Sequence, residues 1–220
     1  MRNCACLQYL RGMNYTFIAI EGNIGAGKTT LAQQLADHYK AQLILEEFSE
    51  NPFLPLFYQD KERYALPLEL SFLADRYEQL KRFLGSHDDQ CPVIADYSLG
   101  KSQLFAKNNL SAIEYDLFLK MASILKTALP KPDLLIYLHA PVAKLQQQIR
   151  KRGRPYEQNI EDAYLEQIQQ AYRQYLEGEE GNILIIPTDV ADLVQQDHFN
   201  QLVQFLEAGA ITGKKEWTPS

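Results

Sequence analysis

The chain has 220 residues, enough for one α/β domain with a substantial core and little more. Hydrophobic residues make up 46% and charged residues 23%, ordinary values for a globular chain. The formal charge of −6 argues against a nucleic-acid footprint over the whole surface, though not against a local basic site, and no apolar run reaches the roughly 18 residues of a membrane span.

Residues 1–13, "MRNCACLQYLRGM", lack the unbroken apolar segment of a signal peptide, because Gln8, Tyr9 and Arg11 interrupt it. They read as a leader or disordered arm. Cys4, Cys6 and Cys91 form neither a metal-ligand pattern nor a disulfide framework, which points to a reducing cytoplasm. From residue 14 to 209 the chain reads as one domain, with a mobile tail over 210–220. Five apolar runs, Phe17–Ile20, Leu43–Leu45, Val93–Ala95, Leu134–Leu138 and Ile183–Ile186, alternate with helical patterns. That alternation predicts a five-stranded parallel sheet flanked by helices, of the P-loop NTPase type.

The first strand runs into Gly22-Asn23-Ile24-Gly25-Ala26-Gly27-Lys28-Thr29-Thr30, followed by a helical stretch over Leu31–Tyr39. This is the pattern G-x-x-x-x-G-K-[ST] in its required setting, a strand before and a helix after. Glycines allow successive backbone N–H groups to turn towards a phosphate, and the helix N-terminus adds partial positive charge. Lys28 is placed to reach the β- and γ-phosphates, and the Thr29 hydroxyl to ligate Mg²⁺. A nucleoside triphosphate is therefore the expected ligand. The loop alone leaves GTPases, motor-type ATPases and small-molecule kinases open, although no N-K-x-D guanine-reading motif occurs.

Strand two ends in "LILEEF" and strand three in "VIADYS". In a parallel sheet these tips meet at one crevice, so Glu46, Glu47 and Asp96 should face the γ-phosphate. A carboxylate there either accepts a proton from an attacking hydroxyl or holds Mg²⁺. Glu69, Phe72 and Arg76 share one face of a helix whose other side carries Leu70, Leu73, Tyr77 and Leu80. That face is either a surface salt bridge or a pocket wall. Ser111 and Glu114 form a capping box ahead of an apolar stripe of Ile113, Leu117, Met121, Ile124 and Ala128. A helix begins near Pro141 and ends by Gly153, and further helices run over about 161–177 and 192–207. Arg150, Lys151, Arg152 and Arg154 cluster at the Gly153 break, where guanidinium groups suit a phosphate-gripping lid.

Taken together these stretches resemble the deoxynucleoside kinase family, over nearly everything from Tyr15 to about Phe205. The loop "EGNIGAGKTT", the Glu46 tip ahead of Asn51-Pro52, "FYQDKERYALPLEL" and "LHAPVAKLQQQIRKRGRPYEQ" carry the likeness. The resemblance implies transfer of the ATP γ-phosphate to the 5′-hydroxyl of a deoxynucleoside in nucleotide salvage, with Mg²⁺. It makes Glu46 the proton acceptor and Arg152 and Arg154 an arginine-rich helical lid, and with Glu46 so used Asp96 is expected to serve Mg²⁺. It places Tyr58 and Glu157 at the sugar 3′-hydroxyl, Glu69 and Arg76 at the base, and Phe105 stacked on the base or simply packed in the core. Family members are usually homodimers. Neither nucleic acid nor membrane is implied as a partner. A thymidylate-type nucleoside monophosphate kinase, which shares the loop, sheet and lid, is the alternative.

Three positions depart from the family pattern, the first being Glu47 in place of the proline that follows the strand-two glutamate. Tyr97 stands where an arginine normally follows the strand-three carboxylate, so the choice between Glu46 and Asp96 as proton acceptor stays open, with Lys101 a nearby substitute charge. Glu69 replaces a glutamine; an ionised carboxylate only accepts, which suits guanine's adjacent N1–H and amino donors and favours a deoxypurine, deoxyguanosine above all.

Overall fold

The computed structural model describes residues 14–46, 51–84 and 91–220. The arm 1–13 and Glu47 lie outside the described residues. Six strands form one wholly parallel sheet: β1 Phe17–Gly22, β2 Gln42–Ile44, β3 Val93–Ala95, β4 Leu134–His139, β5 Ile183–Pro187 and β6 Lys214–Glu216, in the order β2-β3-β1-β4-β5-β6. The helices are α1 Lys28–Tyr39, α2 Phe53–Gln59, α3 Lys61–Leu84, α4 Gly100–Asn109, α5 Ala112–Lys126, α6 Val142–Arg152, α7 Asp162–Gly178 and α8 Gln196–Glu207.

β1 is buried along its full length and lies between β3 and β4, with Ala19 level with Ala95 on one side and Leu135 on the other. The chain reverses its direction of travel across the sheet there. Loops leaving β1, β2 and β3 consequently open on one crevice. Near-continuous apolar runs such as "FIAI" and "LLIYL" suit strands covered on both faces.

The sheet has one strand more than the sequence reading predicts, and residues 210–220 are its cause. β6 pairs in parallel with β5, Ile183 level with Lys214 and Ile185 with Glu216. Ile211 and Trp217 on either side of it are buried. The backbone amide of Trp217 donates to Ile185 O at 2.9 Å, and that of Ile211 to the Tyr15 hydroxyl at 2.7 Å. The expected mobile tail is instead an edge strand. Lys-Lys-Glu has no apolar alternation to announce it, since charged side chains are what an exposed edge carries. Cys91 is disulfide-bonded, which the cysteine spacing does not anticipate.

Helix α5 has the predicted capping box, Ser111 donating from its amide and its hydroxyl to Glu114 Oε2 at 3.0 and 2.6 Å. It buries Phe118 and Ala122, while Ile113 (85% exposed), Ile124 (72%), Leu117 and Met121 face outward from the chain. Helices α2 and α4 have no counterpart in the sequence reading. Gly100 begins α4, and a side chain there would collide with the Tyr175 ring and hydroxyl of α7. The close approach of those two helices brings α4 over the crevice.

Candidate active site

The loop between β1 and α1 follows its sequence pattern. Gly25 adopts φ 81° and Gly27, which caps α1, φ 95°, left-handed values that glycine tolerates without strain. A Cβ at Gly25 would also press within 3.0 Å of Leu145 O on α6. Asn23 is buried and ties the loop to α7, its amide donating to Leu165 O at 2.8 Å, while its Oδ1 accepts from the Ile24 amide. Lys28 Nζ folds across the loop to Gly22 O and Asn23 O, both at 2.9 Å. Burial, and then the charge of Lys101, push its ammonium down to about 8.

Opposite the loop, the tips of β2 and β3 are locked together. Asp96 is almost fully buried; its Oδ1 accepts from the Glu46 amide at 2.8 Å and its Oδ2 from the Thr29 hydroxyl at 2.6 Å. The Glu46 carboxylate is held by two cations. Arg76 reaches Oε1 through Nε at 2.8 Å and through Nη2 at 2.6 Å, and Lys101 Nζ donates to Oε2. Burial alone would raise this carboxyl, but the charges and hydrogen bonds of Lys101 and Arg76 outweigh it and hold Glu46 well below the usual carboxylate range. The remaining nitrogen of the Arg76 fork donates to Ser102 Oγ at 2.6 Å. Burial works against the guanidinium's charge, and Glu46 and then Glu69 overcome it.

This pairing accounts for the missing arginine after β3. Tyr97 is fully buried and turns away from the crevice, its hydroxyl donating to Gln79 Oε1. Gln79 in turn donates to Leu45 O at 2.8 Å, so the tyrosine braces the backbone just before Glu46. Arg76 and Lys101, from α3 and α4, supply the charge instead.

One cleft brings together Lys28, Thr29, Glu46, Asp96, Arg76, Lys101, Tyr58, Glu69, Phe72, Phe105, Arg152, Arg154 and Glu157, with Ile24 at its edge. Arg152 and Arg154 both donate to Glu157, the latter at 3.2 Å, and Glu157 is buried beneath them in a 3₁₀ turn at Pro155–Glu157. Tyr58 stacks on Tyr156 at 6.1 Å, and burial raises its phenol above the ordinary value. Phe72 carries the Arg76 guanidinium 4.8 Å from its ring centre, and Phe105 the Lys101 ammonium at 5.8 Å. Thr30 lies outside this cleft. With Gly25, Ala26 and Gly27 it lines a second cavity bounded by Lys144, Gln148 and the loop from Thr188 to Val194.

Sequence reasoning missed Asn109 and Tyr164. The Tyr164 hydroxyl donates to Asn109 Oδ1 at 3.2 Å, and Asn109 Nδ2 donates to Glu69 Oε1 at 2.7 Å. No periodicity marks an asparagine at the end of α4 or a tyrosine in the first turns of α7 as pocket residues. Glu69 is 2% exposed, and its Oε2 has no hydrogen-bond partner. Burial raises this carboxyl to about 7, with the Asn109 hydrogen bond acting the other way.

A phosphate-cradling loop at the switch point of a parallel sheet, strand-tip carboxylates facing it and an arginine-bearing turn above define a P-loop phosphotransferase. The chain belongs to the deoxynucleoside kinase family, whose model, "Deoxynucleoside kinase", matches residues 18–207. It is 40% identical over 187 residues to the deoxyguanosine kinase of Bacillus subtilis, covering 81% of this chain and 89% of that one. It is 29% identical over 168 residues to the deoxyadenosine/deoxycytidine kinase of the same organism, covering 74% and 77%. The fold matches deoxyadenosine kinase from M. mycoides, solved with bound dATP, at a TM-score of 0.75 and 22% identity over 86% of this chain and 98% of that one. The protein is accordingly a kinase, an ATP-dependent phosphotransferase acting on a nucleoside hydroxyl. No helix among the described residues is long and apolar enough to cross a membrane.

Proposed function

We propose that the protein transfers the γ-phosphate of ATP to the 5′-hydroxyl of a deoxypurine nucleoside, deoxyguanosine by preference, in nucleotide salvage. The observation that carries the reading is Glu46. It is a fully charged carboxylate at a strand tip, facing the phosphate loop, in the same cleft as an acidic base-reading residue with an unpartnered oxygen.

Glu46 orients the hydroxyl and receives its proton as the phosphoryl group departs from ATP. Its low basicity is no obstacle, because the transition state is loose and demands little of the base before transfer. Arg76 and Lys101 neutralise it, so that the carboxylate does not repel the incoming phosphoryl oxygens. Lys28 and the loop amides hold the β- and γ-phosphates. Arg152 and Arg154 exchange Glu157 for phosphate oxygens when the triphosphate is bound, which leaves Glu157 with Tyr58 for the sugar 3′-hydroxyl. Thr29 and Asp96 present a hydroxyl and a carboxylate side by side, hard oxygen ligands that fit Mg²⁺. The metal, when bound, neutralises charge on the transferring phosphate. The second cavity, at Thr30 and the loop after β5, suits the donor base.

A monophosphate acceptor would need cations left over for its phosphate. Arg76 and Lys101 are committed to Glu46, which disfavours the thymidylate-type alternative. The outward stripe Ile113–Leu117–Met121–Ile124 supports a homodimer packed through α5.

The test compares kcat/KM for the four deoxynucleosides with Mg-ATP, for the wild type and Glu69→Gln. Deoxyguanosine should lead, and the variant should lose at least tenfold of that preference. Leadership by thymidine, or indifference to the substitution, would refute the base assignment.

A further inference from the structure

The group least explained by phosphoryl transfer is the Glu69 carboxyl. Its two oxygens differ. Oε1 accepts from Asn109 Nδ2 at 2.7 Å, and the orientation of that amide is set by the Tyr164 hydroxyl, which donates to Asn109 Oδ1 at 3.2 Å. A second donor, Asn108 Nδ2, lies 3.4 Å from the same Oδ1. With its oxygen facing two donors, the Asn109 amide presents only N–H to Glu69. A proton on this carboxyl therefore resides on Oε2, the buried atom without a hydrogen-bond partner.

The charged groups around it have other obligations. Arg76, about two turns along α3, and Lys101, from α4, are both paired to Glu46 beyond β2. Tyr164 from α7 faces Glu69 as a phenol that burial keeps neutral, and Lys61 sits over its ring at 4.4 Å. Tyr58 from α2 and the Arg152–Glu157–Arg154 cluster line the same cleft. No cation is paired directly with Glu69 among the described residues.

Each protonation state of such a group matches a different base edge. The carboxylate offers two acceptors, matching guanine's N1–H and amino donors. The acid offers an O–H from Oε2 beside an accepting Oε1, matching a ring-nitrogen acceptor next to an amino group. Presented with the wrong edge, either form leaves a buried polar atom facing another of its own kind, a cost large enough to reject the base.

We infer that Glu69 is a protonation-dependent selector, reading guanine when ionised and adenine when it carries a proton on Oε2, with Asn109 and Tyr164 as positioning residues that fix which oxygen carries it. The inference rests on the deoxypurine kinase reading above and adds a second substrate to it. Burial raises Glu69 to about 7, so both forms are populated near neutrality.

The ratio of kcat/KM for deoxyguanosine to that for deoxyadenosine isolates this group, since the titration of Lys28 affects both substrates alike and cancels. The ratio of ionised to protonated enzyme changes tenfold per pH unit, so the substrate ratio should rise roughly 100-fold from pH 6 to pH 8. Deoxyinosine has N1–H but no amino group, and its ratio to deoxyadenosine should climb with the same slope. In Glu69→Gln both ratios should be flat. Phosphorylation of both purines at a pH-independent ratio, or a slope that survives in Glu69→Gln, would overturn the inference while leaving the kinase reading standing. Failure to phosphorylate any deoxynucleoside at any pH would remove both. The wild-type slopes for deoxyguanosine and deoxyinosine decide the matter even if the variant does not fold.

Discussion

Replacing Glu46 by glutamine separates what the carboxylate does for the reaction from what it does for the fold. The side chain keeps its shape and one acceptor oxygen, but Arg76 and Lys101, each less than a tenth exposed, lose their counter-charge. Breaking one side of a buried ion pair costs about 3–5 kcal/mol, and the retained amide oxygen should keep the loss near the lower figure. For a domain of this size that corresponds to a drop of roughly 6–12 °C in melting temperature at pH 7. Glu46 is held below the carboxylate range, so its contribution to stability is complete above the unfolded-state value of about 4.3 and disappears as pH falls through its lower folded value. The difference in melting temperature between wild type and variant should therefore be full at neutrality and narrow only in acid. On the kinetic side, loss of the proton acceptor should lower kcat by about 10²–10⁴ with little change in KM for ATP. Asp96→Asn, by contrast, should raise the Mg²⁺ concentration needed for half-maximal rate. The assays are thermal unfolding across pH and steady-state kinetics under Mg²⁺ titration. A Glu46→Gln enzyme that keeps kcat within a few-fold, while Asp96→Asn abolishes it at saturating Mg²⁺, would assign the proton to Asp96 and refute the reasoning.

Three further outcomes are expected. Lys28 titrates near 8 in the free protein because it is buried, so KM for ATP should rise as pH increases beyond about 8, while KM for the deoxynucleoside stays level; an alkaline profile equal for both would contradict this. Trp217→Ala should cost about 3 kcal/mol, read as urea midpoint, without changing kcat, because the indole packs near Phe205 at the β5–β6 edge, remote from the cleft. Ile113→Asp with Ile124→Asp should convert a dimer to a monomer in analytical ultracentrifugation at unchanged melting temperature of the protomer; an unaltered sedimentation coefficient would place any dimer contact elsewhere.

The parts legible in the sequence share a property: their meaning is local. The phosphate loop needs glycines, a lysine and a threonine at fixed spacing between a strand and a helix, and all of these lie within about a dozen residues. Glu46 and Asp96 were readable because a parallel sheet sends its strand tips to one crevice, whatever the intervening chain does. Glu69 was readable through the resemblance, but its state was not, since the raised carboxyl depends on burial among α3, α4 and α7. The same holds for the substitute charges. Lys101 stood out as a neighbour of Asp96, yet that it shares Glu46 with Arg76 follows from the placement of α4 between α3 and α7, the latter approaching closely at Gly100 and Tyr175. Periodicity marked the apolar stripe of α5 but not what it faces: Ile113, Leu117, Met121 and Ile124 point away from the chain, and an exposed apolar face obeys the same 3.6-residue repeat as a core face. At the C-terminus the signal was absent altogether: Lys214, Lys215 and Glu216 pair through their backbone, and only the flanking Ile211 and Trp217 hint at burial.

The central claim is that a strand-tip carboxylate, facing a triphosphate cradle, takes the proton of a sugar hydroxyl. The most direct measurement is ADP release from Mg-ATP with and without deoxyguanosine, accompanied by mass and phosphorus-NMR analysis of the nucleoside product. The account predicts ADP only when the nucleoside is present, with one 5′-monophosphate formed per ADP. ADP formed at the same rate without nucleoside, or only when a nucleoside monophosphate is supplied, would contradict it.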